Sequence, residues 1–189
     1  MTREATRLLP SAPIASRPRR VLGIDPGTAV TGYGVVDYDG RTPVLLECGV
    51  IRTNAKDPLP SRLLSIHAGI TELIVRHQPD SVAVEDVFYA KNVRTTIVLG
   101  HARGVILLAA QQAALTIHEF TPAEIKKAIT GTGAATKQQV QFMVTKLLRL
   151  KTAPQPADAA DGVAAALCAC MAPAFATVRF PVPLARQRV

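Results

Sequence analysis

The chain holds 189 residues, 48% of them apolar and 19% charged, with a net charge of +8; that suffices for one packed core and excludes a wholly disordered chain. Its 12 glycines and 14 prolines follow no collagen-like period, no apolar run comes near the roughly 20 residues of a membrane-spanning helix, and Leu8-Leu9-Pro10 is too short for a signal peptide, so a cytoplasmic protein is expected. The odd count of 3 cysteines, Cys48, Cys168 and Cys170, none in a CxxC spacing, argues against a disulfide scaffold and a zinc ribbon alike.

In chain order, residues 1–20 carry Arg3, Arg7, Arg17, Arg19 and Arg20 among Pro10, Pro13 and Pro18, and are expected to form a disordered basic arm. Val21 to Ile24 then reads as a strand, Asp25-Pro26-Gly27 as a turn, and Thr31 to Val36 and Val44 to Arg52 as two further strands. Leu63, Ile66, Ile70, Leu73 and Ile74 fall at helical spacing between Pro60 and Pro79. Ser81 to Glu85 is a buried-type strand, Val93 to Ala114 a long apolar helix whose middle is expected to contact the core, and Thr116 to Phe120 the fifth strand. Val140, Met143, Val144, Leu147 and Leu148 mark another helix and Ala157 to Met171 the last. Residues 173–189, with Pro173, Pro181, Pro183, Arg179, Arg186 and Arg188, read as a flexible basic tail. The order predicts an α/β domain over residues 21–172: a five-stranded mixed sheet with helices on both faces. Because most of the positive excess sits at the two ends, the global charge says little about what the folded part binds.

The chemistry lies in the acids. Asp25 closes the first strand at a sheet rim, where α/β folds gather their ligand sites, although a lone aspartate there also serves to shape an Asp-Pro-Gly turn. Glu85 closes Val82-Ala-Val in the same way, and alone would be a solvated strand end. Asp158 and Asp161 stand three apart on a helix otherwise built of alanine, so both project from one face. Pro156 suits the first helical position and places Asp158 in the opening turn, where the helix dipole favours an anion. Should the four converge, their repulsion calls for cations, and an oxygen-only ligand set suits magnesium or manganese. Two such ions would clamp an in-line phosphoryl displacement. Lys126, Lys127, Lys137, Lys146, Arg149 and Lys151 in one stretch, and Lys91, Arg94 and Arg103 in another, would offer phosphate a basic surround.

At these residues the sequence resembles the RuvC family of bacterial Holliday junction resolvases. The resemblance rests on Ile24-Asp-Pro-Gly-Thr28 with Thr31-Gly-Tyr-Gly-Val35, on Val84-Glu-Asp-Val-Phe88 with Ala90-Lys-Asn92, and on Ala157-Asp-Ala-Ala-Asp161, supported by Pro60-Ser-Arg-Leu63 and Gly100-His-Ala-Arg-Gly104, in order over about residues 20–172. It implies an RNase H-like fold, a homodimer, and magnesium-dependent, paired symmetric cutting of a four-way DNA junction in recombination and repair, leaving 5′-phosphate and 3′-hydroxyl ends. It further implies two Mg2+ per site, for which Mn2+ can substitute, and the RuvA and RuvB branch-migration machinery as partners. The four catalytic, metal-binding acids map onto Asp25, Glu85, Asp158 and Asp161. Phe88 maps onto an aromatic residue that stacks on a base at the junction centre, and Lys126 and Lys137 onto DNA-contacting positions. Gln141, with Lys137 and Thr145, is expected to form a DNA-facing side of its helix opposite Val140, Met143 and Leu147, and Lys91 and Arg94 to lie along the same groove.

Two features depart from the family. About 20 residues precede the first strand, and Asp86 stands where glutamine is usual; as the neighbour of Glu85 on a strand it points the other way. Asp-x-Gly-Thr also resembles the phosphate loop of actin-like ATPases and sugar kinases, which need about twice this length. The nearer alternatives are a YqgF-like nuclease acting on RNA and a non-catalytic DNA-binding protein.

Overall fold

In the computed structural model, which describes residues 18–86 and 93–172, five strands form one sheet in the order β3-β2-β1-β4-β5. β1 (Arg19–Asp25), β2 (Val30–Tyr38) and β3 (Pro43–Arg52) make an antiparallel meander, while β4 (Ser81–Glu85) and β5 (Thr116–Phe120) continue the sheet parallel to β1. The parallel half is connected by α1 (Leu59–His77) and α2 (Val93–Gln112); α3 (Pro122–Thr130), α4 (Lys137–Leu147) and α5 (Ala157–Met171) follow.

Side chains alternate across a strand, and each strand accordingly feeds two cores. Leu22, Ile24, Val82 and Val84 pack under α1 and α2 against Ile66, Ile70, Ala102 and Ile106. Val21 and Ala83 face the opposite way, against Val163, Ala164 and Leu167 of α5 and against α3 and α4. Helices cover both faces, as the element order predicted. α5 lies almost on the backbone of β1 and β2 because nothing larger than hydrogen separates them: a Cβ at Gly23 would collide with the backbone of Gly162 and Ala166, and one at Gly32 with the Asp158 carbonyl. That close seat brings the start of α5 to the carboxyl end of β1.

The structure corrects several expectations. β1 begins at Arg19, inside the stretch assigned to the arm, because Arg20 is tied in on three sides: its guanidinium pairs with Asp37 directly across the ladder at 2.7 Å and donates to the His77 carbonyl, and its backbone N–H donates to Asp80. α3 is not among the helices expected from apolar period, although Thr121-Pro-Ala-Glu124 is a capping box with proline at the first position, both reciprocal hydrogen bonds being formed. Pro156 is the N-cap of α5 rather than its first residue; Asp158 remains in the first turn. On α4 the buried stripe is Val140, Val144 and Leu148, whereas Met143 and Leu147 are half-buried. At 100° per residue Lys137 lies only about 20° from Val144, so Lys137 and Gln141 border the packed face instead of opposing it. α2 touches the core through Ala102, Ile106, Ala109 and Ala110, while Gly100 and Gly104 in its middle face open space, and Val93, Ile97 and Leu108 are exposed. Apolar on both sides, α2 is long and apolar enough to cross a membrane by length and composition, against the expectation that no apolar run comes near that length.

Candidate active site

Two strands and one helix build the site. β1 and β4 run parallel in register, Gly23 beside Ala83 and Ile24 beside Val84, and one step further along lie Asp25 and Glu85. By alternation each shares the face of Val21 or Ala83, the α5 face. Above them α5 presents Asp158 and Asp161. Carboxylate oxygens of Asp25, Asp158 and Asp161 all lie within 4.8 Å of one another. Glu85 stands outside that set of three but lines the same cavity of about 270 Å³ as Asp25, Asp161, Lys126 and Lys137.

The turn after β1 is fastened from outside the acids. Thr31, fully buried, donates its hydroxyl to the Gly27 carbonyl at 2.6 Å, and Thr53 donates to the Thr28 carbonyl. These hydroxyls hold the Asp25-Pro26-Gly27 bend. A threonine opening a strand after a glycine turn, as Thr31 does, signals such a bond in the sequence, whereas Thr53, just past the end of β3, carries no such local signal.

Burial and mutual repulsion act together on the acids. Asp25 is pushed up to about 8, first by desolvation and then by the charges of Glu85, Asp161 and Asp158, against a smaller opposing effect of Lys137. Glu85 is raised to about 7, again by burial first and by Asp161 second. Asp161 is raised by burial even though Lys137 donates to it at 2.5 Å, and that same hydrogen bond raises the Lys137 ammonium. A group of carboxylates that resist ionisation side by side, offering only oxygen, is a donor set that fits a hard divalent cation: the ion would restore their charge at neutral pH.

The remaining expected residues divide. Lys126, from α3, and Lys137, from the first turn of α4, reach the cavity wall; Gln141 lies one turn beyond Lys137 and is half-buried. Arg94 is exposed at the start of α2 and does not line the cavity. Phe88 and Lys91 lie outside the described residues. Asp86 points to the far face of the sheet, where it pairs with Arg103 of α2 at 3.3 Å, and so adds no charge to the acidic cluster.

Known proteins share the sequence and the fold of this chain. The family model described as crossover junction endodeoxyribonuclease RuvC matches residues 21–169. The crossover junction endodeoxyribonuclease RuvC of Pelotomaculum thermopropionicum is 47% identical over 148 residues, covering 78% of this chain and 90% of the relative. That of Chloroflexus aggregans is 48% identical over 149 residues, with 79% and 91% covered. Among solved structures, RuvC of T. thermophilus in complex with a Holliday junction substrate superposes with a TM-score of 0.77 at 36% identity, covering 81% of this chain and 93% of that one. The yeast mitochondrial Holliday junction resolvase Ydc2, at 15% identity and a TM-score of 0.59 over 84% of this chain and 82% of its own, shares the fold.

Proposed function

The chain belongs to the RuvC family of crossover junction endodeoxyribonucleases, with the family's RNase H-like fold, and from that membership we propose how its residues resolve a Holliday junction. The observation that carries the reading is the meeting of Asp25, Asp158 and Asp161, with Glu85 on the same cavity, beside two lysines.

Asp25, Glu85, Asp158 and Asp161 would hold magnesium, two ions per site, with manganese able to take its place. Bound there, the ions supply positive charge to the scissile phosphate and make water a stronger nucleophile. The chain's own residues do the rest. Asp25 and Glu85, fixed on adjacent strand ends, set where the acids face the DNA, and α5 sets the distance to Asp158 and Asp161. Lys126 and Lys137 draw phosphate oxygens to the cavity mouth as point charges. A water oxygen bonds to phosphorus and gives up a proton to solvent, the bond from phosphorus to the 3′ oxygen breaks, and that oxygen takes up a proton from solvent, leaving 5′-phosphate and 3′-hydroxyl ends. Phe88, Lys91, Arg94 and Gln141 are assigned to the surrounding DNA contact, Phe88 by stacking on a base.

Symmetric nicking of two opposed strands needs two such centres, hence a homodimer. The outward face of α2, with exposed Val93, Ile97 and Leu108 and the side-chain-free Gly100 and Gly104, supports that assembly. RuvA and RuvB as branch-migration partners and a cytoplasmic setting complete the reading.

The test is a strand-resolved gel of synthetic four-way junctions and linear duplex, with and without magnesium. Paired nicks on junctions alone are expected, with Asp158→Asn still binding junctions but not cutting them. Cutting of RNA or of plain duplex would move the chain to another nuclease class.

A further inference from the structure

On the face of the sheet turned away from the acids, one guanidinium spans the two outermost parallel strands. Arg103, on α2, reaches Asp86 at 3.3 Å and also pairs with Glu119 of β5, both through the same terminal nitrogen. Its Nε is buried with no hydrogen-bond partner among the described residues, and the ion pairs to these two carboxylates hold the head group. Asp86 immediately follows Glu85, and its backbone N–H donates to the Phe120 carbonyl at 2.7 Å, extending the ladder one residue past the end of β4.

The consequence follows from strand alternation. Because Asp86 and Glu85 project from opposite faces, fixing the Asp86 side chain against α2 fixes the peptide plane from which Glu85 departs toward Asp25 and Asp161. Nothing comparable is needed at Asp25, whose strand continues into the turn bound by Thr31. At the end of β4 the backbone has a neighbour on one edge through Phe120, and the side-chain anchor comes from α2 alone among the described residues. We propose that Arg103 is a positioning residue, which by bridging Asp86 and Glu119 holds the end of β4 so that Glu85 faces the other acids and takes its part in binding the divalent ion. The inference rests on Glu85 being a metal-binding acid, as proposed above.

Because one nitrogen meets both carboxylates, Arg103→Lys keeps the positive charge that they share, whereas Arg103→Gln removes it. Outer residues that orient a metal ligand characteristically change metal affinity by 10- to 100-fold when removed. The experiment is a titration of the full-length protein with Mn2+ alone, followed by the electron paramagnetic resonance of free Mn2+, for the native chain, Arg103→Gln, Arg103→Lys, Asp86→Asn and Glu85→Gln. Junction affinity in EDTA and the melting temperature are read in parallel. The expected result is Mn2+ binding weakened about tenfold in Arg103→Gln and less in Arg103→Lys and Asp86→Asn, with junction affinity in EDTA unchanged within about twofold. Unaltered Mn2+ affinity in Arg103→Gln, with Glu85→Gln clearly weakened, overturns the inference and leaves the site reading intact, however much the melting temperature drops. Unaltered affinity in Glu85→Gln overturns the reading of Glu85 itself, and the inference with it. If Arg103→Gln does not fold, Asp86→Asn is decisive by the same criterion.

Discussion

At Asp25 two costs add, the loss of water around a buried carboxylate and the nearness of three other acids. The folded chain therefore keeps a proton on Asp25 up to about pH 8 and on Glu85 up to about pH 7, whereas the unfolded chain releases both near pH 4. Between those limits the folded state binds more protons than the unfolded one, so its stability falls as pH rises. In EDTA the melting temperature is expected to drop from pH 6 to pH 8 and to recover on adding magnesium; a profile flat without metal would contradict this. Asp25→Asn removes the cost, and should stabilise the metal-free protein at pH 8 by roughly 1–3 kcal/mol while lowering cleavage by about 100-fold or more, checked by calorimetry and junction assays. The spacing of acids in the sequence pointed to all four residues because strand ends and an i, i+3 pair are local features. That Glu85 stands off from the tight trio, and that Asp86 is engaged by Arg103, depended on contacts between distant segments.

Among the elements, α5 matters most to the site, and its seat depends on the absence of side chains beneath it. Gly32 lies opposite Asp25 in the ladder and directly under the Asp158 carbonyl. Gly32→Ala should lift the start of α5, costing about 1–3 kcal/mol of stability by overpacking and lowering cleavage more than junction binding, as thermal melts and gel shifts will show. α3 brings Lys126 to the cavity through its capping box, and Thr121→Ala should cost about 1 kcal/mol in a denaturant titration while leaving metal affinity unaltered. The strands and the long helices announced themselves by apolar period. α3, nine residues long, gives so brief an apolar pattern, Ile125 and Ile129, that its cap is the stronger signal. On α4 the apolar positions Met143 and Leu147 suggested a stripe that packing shifted to Val140, Val144 and Leu148, and this moved Lys137 from an outer face to the cavity's edge.

For the whole molecule, the outward face of α2 presents Val93, Ile97 and Leu108 exposed among the described residues. Ile97→Asp should convert the proposed homodimer to a folded monomer in analytical ultracentrifugation, with paired nicking lost and the melting temperature changed little, since Ile97 is 56% exposed. Of the residues 1–20 expected to form a basic arm, Arg19 and Arg20 belong to β1; we propose that the preceding residues add salt-dependent affinity for DNA, so that deleting residues 1–17 should weaken junction binding and flatten its salt slope without moving the cleavage position. Unchanged affinity at low salt would reject that assignment. Arg19 and Arg20 must be retained in such a deletion, because both belong to β1.

The most direct measurement of the central claim is a crystal of this protein soaked in manganese and recorded at the metal's absorption edge. Anomalous peaks among Asp25, Glu85, Asp158 and Asp161, two of them about 3.5–4 Å apart, are the predicted result. A well-soaked crystal with no peak between these carboxylates, or with manganese bound only elsewhere, would contradict it.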